Sequence, residues 1–554
     1  MSTNNMTSYQ NGGQHKYTPV AVGEDSDVVV LDQEASLLSS NKRKFLLGGA
    51  LSLWVACVAL TRNLSSNSPF MDVLLPDGRH DYRSDTFIPQ WMDQVVDHFD
   101  DANDATFKQK YFTYDKFWKG PGHPIIFVLG GEDPMDDLIT PFAYYYMAQK
   151  FGAMSFGVEH RYFGDSFPIV NYTNQDLVQL MTPEQAVEDF AHAAQFIRKK
   201  LGCSMDKSSK HYCPVITVAG SYPGFLSAML RLTHPEVVDI AYATSAPLWL
   251  YSHGVDHKTY YDYVTMVADA AVPGCAAAVK ETVMEFHDWA VSPDATMFEK
   301  ANEIKICEGG IPEYITDSNS LELWWTEVNE IVTAHFAEAD MGYYPPGPDA
   351  ELERACRIFL QEGASMQEKI GNMLTMRKEW QSTGCFDMHS ELPVGKKATI
   401  SASDWSGMGD GIKAFMWELL SCQLLPQLTQ SEESMFYPRE WTLEWTANHC
   451  KERFDIDVDP DRLRNYFGFE DLTGVDHLLF INNIADGWSA ASVTVPPPNS
   501  GIEVINVING AHCSDFRGPG KNFDTPEMQA AHKKILEIIA KWLKEIKDER
   551  KQSK

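Results

Sequence analysis

The sequence predicts an α/β protein in which a mainly parallel sheet is interrupted by a long helical insertion. Strand-like and helical segments alternate in the first part of the chain body and again near its end. Between about residues 255 and 440 the pattern changes to long helical segments with many aromatic residues and no clear strand. At 554 residues the chain also exceeds what a single hydrophobic core usually organises.

The first part of the body contains two strands and two helices. Ile125 to Leu129 is a short apolar run that ends at two glycines, which is typical of a buried parallel strand. A helix over 182–200 begins with Thr182 as its N-cap, and Gln185 stands at the capping-box position. A second strand over 214–219 is followed by a helix that includes residues 225–232.

The last part of the body returns to strand character. Residues 477–481 and 503–507 are predicted strands, and residues 527–547 form an amphipathic helix. The sheet is therefore expected to take strands from both sides of the helical insertion.

Charge and cysteine usage limit the partners. A formal net charge of -31 disfavours nucleic acid and anionic lipid surfaces. The ten cysteines show no zinc-type spacing, so no metal site is predicted and a disulfide framework is expected if the chain is secreted. Cys57 lies in an apolar N-terminal run, and of the other nine we expect Cys513 to be the free thiol, because it follows a candidate catalytic histidine.

The N-terminus has the pattern of a signal anchor. Residues 1–44 are polar and end in Lys42-Arg43-Lys44, residues 45–61 are uncharged and mostly apolar, and residues 62–90 resemble a stalk. The basic cluster on the N-terminal side predicts a cytosolic tail and a type II orientation. A cleaved signal peptide is the alternative, since the apolar run is short for a membrane span. A buried core helix explains the flanking charges less well.

The expected address is the lumen of the secretory system or the cell surface. Asn63 and Asn171 begin glycosylation sequons, both on the lumenal side of the predicted anchor. Glu34-Ala-Ser-Leu37-Leu38 resembles an acidic dileucine sorting signal for endosomes or vacuoles.

A candidate nucleophile follows the strand over 214–219. Gly220-Ser221-Tyr222-Pro223-Gly224 joins this strand directly to a helix, as in a nucleophile elbow. Such a turn exposes the serine Oγ beside a helix N-terminus, where backbone N–H groups stabilise an oxyanion. Ala219 occupies the position of the first glycine in the usual pattern.

An acid and a histidine follow in the required order. Asp486 comes after the strand over 477–481, and His512 comes after the strand over 503–507. Hydrolases with a nucleophile elbow place their acid and then their histidine after late strands. Ser221, Asp486 and His512 are therefore the predicted catalytic triad.

Ordered motifs over the chain resemble the S28 family of serine peptidases. The resemblance covers about residue 91 to the C-terminus. The matching stretches are Gln94–Phe99, Thr106–Phe112, Gly130–Pro134, Glu159–Pro168, Glu184–Ala186, Gly220–Tyr222, Thr244–Pro247, Asp486–Trp488 and Gly510–His512.

The resemblance implies an α/β-hydrolase domain with an inserted helical cap of the SKS type, preceded here by the signal anchor. The expected domains are residues 91–254 and 441–554 for the hydrolase and 255–440 for the cap. The resemblance also implies Tyr222 and Gly131 as oxyanion donors, and Trp488 is expected near the substrate pocket. It implies three disulfides, Cys275–Cys356, Cys307–Cys385 and Cys422–Cys450, which leaves Cys203 and Cys213 to close a local loop.

Three residues depart from the family pattern. Pro223 replaces a usual glycine, Gly487 replaces a usual proline after the acid, and Cys513 replaces a second histidine. None of these changes removes a triad member. We expect the cysteine to alter the pH dependence.

The expected function is that of a serine exopeptidase that cleaves short peptides beside proline, either as a Pro-Xaa carboxypeptidase or as an Xaa-Pro dipeptidyl peptidase. A small-substrate esterase and a catalytically inactive membrane-anchored binding protein are the alternatives. The expected partners are a peptide substrate and, through the anchor, a membrane. No cofactor and no nucleic acid are predicted, and a homodimer is left open.

Overall fold

The computed structural model describes residue 85 and residues 87–252, 254–318, 321–376, 383–390, 410–426, 428–440, 442–520 and 523–552. The predicted cytosolic tail, the anchor over 45–61, Cys57 and the sequon at Asn63 lie outside these residues. Within the described part of the chain, no helix combines the length and apolarity needed to cross a bilayer.

An eight-stranded sheet forms the centre of the molecule, in the order β1-β2-β4-β3-β5-β6-β7-β8. β1 and β2 are antiparallel to each other and β2 is antiparallel to β4, whereas the remaining pairs are parallel. The strands are β1 Gln90–Val95, β2 Thr106–Tyr114, β3 Ile125–Leu129, β4 Met154–Val158, β5 Val215–Gly220, β6 Ile240–Thr244, β7 Asp476–Asn483 and β8 Gly501–Val507. This topology is that of an α/β-hydrolase-like fold.

Helices flank the sheet and fill the segment between β6 and β7. The helices outside that segment are α1 Ala148–Phe151, α2 Asn174–Leu180, α3 Pro183–Lys200, α4 Ser221–Thr233 and, at the C-terminus, α15 Pro526–Gln552. Those between β6 and β7, which we call the inserted helices, are α5 Thr259–Ala271, α6 Cys275–Val291, α7 Met297–Glu303, α8 Glu313–Ser318, α9 Leu321–Met341, α10 Glu351–Phe359, α11 Met366–Leu374, α12 Asp410–Leu424, α13 Leu443–Phe454 and α14 Arg462–Phe467.

The predicted strands and helices are present, with small shifts at their ends. β3, β5, β7 and β8 cover the four predicted strands, and α15 contains the predicted C-terminal helix. α4 begins at Ser221 rather than near residue 225, because the turn after β5 leads directly into the helix. The described residues between β6 and β7 contain no strand of the sheet, as the helical pattern predicted.

The start of α3 corrects one detail of the prediction. The Thr182 side chain accepts the Gln185 N–H at 3.2 Å, as expected for an N-cap. The Gln185 side chain does not return to Thr182. Its Nε2 donates instead to Asp97 Oδ1 at 2.6 Å, and its Oε1 accepts the His98 N–H at 3.0 Å. The Gln185 side chain therefore does not complete a capping box but holds the segment that follows β1.

Four disulfides reinforce the fold. They join Cys203 to Cys213, Cys275 to Cys356, Cys307 to Cys385 and Cys422 to Cys450. These are the pairs expected from the resemblance and from the two cysteines that it left over. Three of them lie within the segment that carries the inserted helices, where closing long loops restricts the unfolded chain. Among the described cysteines, Cys513 has a free thiol, as expected.

Candidate active site

Ser221 stands at a sharp turn between β5 and α4. Its φ of 58° lies in the left-handed region, which non-glycine residues rarely adopt. A backbone in this region costs on the order of 1–3 kcal/mol and persists only where the surroundings hold it. Gly220, in extended conformation, is the N-cap, so the serine is the first residue of the helix.

The turn at Ser221 leaves no room for a side chain at Gly220 and little at Gly224. A Cβ on Gly220 would lie 2.5 Å from the Cys513 Sγ atom, and one on Gly224 would lie 3.0 Å from the Ala246 Cβ atom. The first contact also shows that the residue before Ser221 touches the residue after His512. The serine turn and the histidine loop therefore lie side by side.

The predicted oxyanion residues lie on two neighbouring segments. Tyr222 is in the first turn of α4, where backbone N–H groups have no acceptor within the helix. Gly131 follows β3, and a Cβ on it would lie 2.4 Å from the Cγ atom of Pro223. The Pro223 ring therefore packs directly against Gly131. Its missing N–H removes no helical hydrogen bond, because it too is in the first turn.

Tyr222 is fixed by a buried partner. Its hydroxyl lies 3.1 Å from His160 Nε2, and both side chains are buried. The pKa of His160 is lowered to about 4, mainly by burial, so the ring is neutral at physiological pH. This buried contact restrains the side chain of the residue whose N–H is the candidate donor.

Asp486 and His512 form a hydrogen-bonded pair. His512 Nδ1 lies 2.8 Å from Asp486 Oδ2, and Asp486 is completely buried. The other carboxylate oxygen, Oδ1, accepts the Trp488 N–H at 3.1 Å. Because a carboxylate only accepts, His512 Nδ1 carries the proton, and Nε2 is the nitrogen left for proton transfer.

The electrostatics of His512 favour its protonated form. Burial opposes protonation, but the Asp486 carboxylate and the Cys513 sulfur outweigh it, so the pKa of His512 lies well above its usual value. Burial raises the pKa of the Cys513 thiol, although the neighbouring imidazole opposes that shift. Cys513 itself has a φ of 51°, and its N–H donates to Ser245 Oγ at 3.1 Å.

Sequence reasoning missed a buried network that anchors the histidine loop. Asp515, three residues after His512, accepts hydrogen bonds from Thr244 Oγ1 and Asn483 Nδ2, each at 2.7 Å, and also from the Tyr242 hydroxyl. This carboxylate ties the loop after β8 to the ends of β6 and β7. The matching stretches included Thr244, but nothing in the sequence linked it to Asp515.

A second missed contact comes from helix α9. Asp340 Oδ2 accepts the Gly487 N–H at 2.7 Å, directly after the acid, and the Met341 carbonyl accepts the His512 N–H at 3.1 Å. No local sequence pattern predicts this pairing, because 147 residues separate Asp340 from Gly487.

The remaining predicted site residues are placed as follows. Trp488 is 6% exposed, and its ring lies 4.3 Å from the Tyr260 ring of α5, so it packs the acid loop against the insertion. Its role as a pocket wall stays a prediction. Asn171 is exposed, and its glycosylation stays a prediction. In the part of the chain that the structure describes, no cluster of three or more His, Cys, Asp or Glu side chains is arranged to hold a metal ion.

A sheet of this order, with a left-handed serine after β5 and an aspartate–histidine pair after β7 and β8, defines a serine hydrolase of the α/β class. Comparison with known proteins makes the class more specific. The model of the serine carboxypeptidase S28 family matches residues 94–535. The chain belongs to this family, and it is a serine-type peptidase.

Individual relatives are distant but extensive in coverage. The lysosomal Pro-X carboxypeptidase of Mus musculus is 25% identical over 458 residues, which cover 82% of this chain and 88% of that protein. A Caenorhabditis elegans protein described as a putative serine protease is 32% identical over 492 residues, covering 81% of this chain and 83% of its own length. Among solved structures, brefeldin A esterase, a bacterial homologue of human hormone-sensitive lipase, is 10% identical with a TM-score of 0.36, covering 89% of this chain and 86% of that one.

Proposed function

We propose that this peptidase is a proline-directed exopeptidase with Ser221 as nucleophile, His512 as general base and acid, and Asp486 as the residue that orients the imidazole. The observation that carries the proposal is the 2.8 Å contact between His512 Nδ1 and Asp486 Oδ2, on loops beside the left-handed turn at Ser221. The curated relatives described as Pro-X carboxypeptidases support cleavage after proline.

The proposed chemistry is acyl transfer in two steps. His512 Nε2 takes the proton of Ser221 Oγ as the oxygen attacks the scissile carbonyl. The N–H groups of Tyr222 and Gly131 stabilise the negative charge that develops on the carbonyl oxygen. His512 then gives its proton to the leaving amine, and an acyl-enzyme remains at Ser221. Water, activated by the same imidazole, releases the acyl group and restores the serine.

The inserted helices α5 to α12 are proposed to act as a cap that restricts entry to a chain end, whereas α13 and α14 belong to the second part of the hydrolase domain. The support for the cap is positional, since α5 and α9 pack against the 3₁₀ turn Gly487–Ala491 that follows the acid. In this proposal residues 91–254 and 441–554 make up the hydrolase domain and residues 255–440 the cap. Trp488 then lies at the junction of the two.

The proposed location is the lumen of the secretory or endolysosomal system, or the cell surface, with residues 45–61 as a type II anchor. Four disulfides support an oxidising compartment. The relatives described as lysosomal agree with a lumenal address.

The first test joins active-site labelling to product analysis. A purified ectodomain is treated with a fluorophosphonate probe and, separately, with Xaa-Pro-Xaa and Xaa-Pro-amide peptides. We expect labelling and proline-dependent cleavage in the parent and neither in Ser221→Ala. The matched control is Ser227→Ala, which removes a buried serine of the same helix, bonded to Thr217 at 2.8 Å, and is expected to leave both readouts in place.

The products decide among the alternatives. Release of one C-terminal residue identifies a carboxypeptidase, and release of an N-terminal dipeptide identifies a dipeptidyl peptidase. Labelling with cleavage of esters alone points to an esterase and contradicts the peptide substrate. Absence of labelling in a folded parent contradicts the triad.

A further inference from the structure

One turn of helix α9 reaches both loops of the aspartate–histidine pair. Asp340 Oδ2 accepts the Gly487 N–H at 2.7 Å, next to Asp486. The carbonyl of Met341 accepts the His512 N–H at 3.1 Å. The Met341 sulfur lies 3.1 Å from Trp488 Nε1. Two consecutive residues of an inserted helix therefore bridge the loop after β7 and the loop after β8.

The acid loop fits closely between two inserted helices at Gly487. A Cβ at this position would lie 2.7 Å from Tyr260 Cε2 and 2.8 Å from Val264 Cγ2, both on α5. Only glycine fits without movement of these two side chains. Glycine also keeps the N–H that Asp340 accepts, which the proline usual at this position in the family would lack. The hydrogen bond to Asp340 therefore depends on having glycine rather than proline at position 487.

Asp340 is a buried carboxyl beside a second carboxyl. It is fully buried, and its Oδ1 atom has no hydrogen-bond partner among the residues that the structure describes. Burial and then the charge of Asp486 raise its pKa well above the usual value, against the opposing effects of the Gly487 N–H and His512. The C-terminal turn of a helix also disfavours a negative charge.

The other titratable group in this environment is a tyrosine. Tyr263 of α5 has its pKa raised to about 12 by burial and by the charges of Asp486 and Asp340, and its hydroxyl donates to the Ile484 carbonyl at 3.0 Å. It is therefore neutral and hydrogen-bonded away from Asp340. Burial and the nearby carboxylate of Asp486 thus both raise the pKa of Asp340 and favour its uncharged form.

We propose that Asp340 is a positioning residue of the catalytic triad, which holds the Asp486 loop in register with His512 by accepting the Gly487 N–H from helix α9. The inference rests on the proposed function, because it assigns a role toward the proposed triad. Asp340 touches neither the substrate nor Ser221 in this role. Its contribution is to fix the direction of the Asp486 carboxylate, and hence of the imidazole.

The test separates the hydrogen bond from the charge. Asp340→Asn keeps an oxygen acceptor of nearly the same shape, whereas Asp340→Ala removes the acceptor. We expect the kcat of Asp340→Ala to fall on the order of 10- to 100-fold, because small errors in orientation are costly in catalysis. KM should change little. The kcat of Asp340→Asn should stay near that of the parent, and so should the acid limb of its pH profile, since the amide mimics a neutral acid.

Two further variants exclude a general loss of folding. Glu327→Ala removes another buried carboxyl from α9, one whose charged neighbours are Glu330 and Arg439 rather than the triad, and it should keep the parent's kcat. In an Asp486→Asn background, Asp340→Ala should cause no further loss, because it acts through Asp486. Thermal unfolding is recorded for each variant.

Several results would overturn the inference. They are an unchanged kcat in Asp340→Ala, an equal loss in Asp340→Asn and Asp340→Ala, a shifted acid limb in Asp340→Asn, a comparable kcat loss in Glu327→Ala, or additive losses with Asp486→Asn. The rate of fluorophosphonate labelling at Ser221 distinguishes this failure from failure of the proposed function. A parent that does not label refutes the triad, whereas a parent and an Asp340→Ala variant that label equally fast refute only the positioning role.

Discussion

At the scale of single residues, Cys513 distinguishes this site from a simple triad. Its sulfur lies against Gly220, next to the nucleophile, and it also interacts with the ring of His512. That interaction favours the protonated imidazole. A general base must be neutral to accept a proton, so activity is lost as the pH falls through the raised pKa of His512. The Asp486 carboxylate, which is the larger of these favourable causes, and the Cys513 sulfur both raise the pKa of His512, although burial raises the pKa of Cys513 and so disfavours the charged form of the sulfur.

The first prediction follows from this sign. In Cys513→Ala the pKa of His512 should fall, and the acid limb of kcat/KM should move to lower pH. Cys513→Ser, which keeps a small polar atom, is the matched control and should shift less. An acid limb at the same pH as the parent's, or higher, would show that the sulfur does not tune the base. The measurement is kcat/KM for one peptide across the pH range at constant ionic strength.

The same profile bears on the compartment. A base whose pKa is raised is largely protonated in an acidic lumen, so a parent limb above the ordinary histidine range favours a near-neutral compartment or the cell surface. A limb well below that range would fit a lysosomal enzyme and would contradict the direction of the shift.

At the scale of elements, the β3 loop and helix α4 meet where the oxyanion donors are predicted. Gly131 rests directly against the Pro223 ring, and both flank the turn at Ser221. A side chain at 131 must push this loop away from the helix N-terminus. The proline that replaces the family's usual glycine at position 223 therefore does not alter the candidate N–H donor of Tyr222. It does limit how closely Gly131 approaches the N-terminus of α4.

A prediction follows for this pair. Gly131→Ala should lower kcat on the order of 10²- to 10³-fold, the typical loss when one oxyanion donor is misplaced. Pro223→Gly alone should have a much smaller effect. The double variant should recover part of the loss, because the ring that the new Cβ meets is gone. Purely additive losses in steady-state kinetics would mean that the two residues do not act through their contact.

Elements also show what the sequence predicts and what it does not. The buried strands β3 and β5 and the start of α3 carry local signals, namely an apolar run, flanking glycines and a threonine cap. The serine turn also has a local signal, in its small flanking residues. The acid and the histidine are each recognised by their position directly after a late strand. These local signals suffice for the class of fold and for the candidate triad.

Other features depend on long-range contacts that no local pattern encodes. Helix α9 is buried from Trp324 to Met341, although its sequence includes charged residues such as Glu327 and Asp340. A one-sided apolar stripe is the usual sign of helix packing, and α9 lacks it because inserted helices and the acid loop surround it. The partners of Asp340 and Asp515 lie on distant segments, so only the folded chain reveals them.

At the scale of the whole molecule, the disulfides and the exposed sequon agree with one oxidising compartment for the body of the chain. The pairs in the body need an oxidising compartment, and Asn171 is exposed just before the capping box of α2, in which Thr173 and Asp176 bond reciprocally. A chain anchored through residues 45–61 with a cytosolic N-terminus would place all of these groups in the lumen. Glycosylation at Asn171 is then expected.

The last prediction tests this topology on the full-length chain in cells. Glycosidase treatment should increase gel mobility, and Asn171→Gln and Asn63→Gln should each remove one increment of the shift. In sealed microsomes, added protease should trim the residues before the anchor and leave the body protected with its glycans. Thr173→Ser keeps the sequon and serves as the control, whereas Thr173→Ala should behave like Asn171→Gln. A full-length chain that shows no mobility change with glycosidase, or a body that protease digests without detergent, would contradict the type II orientation.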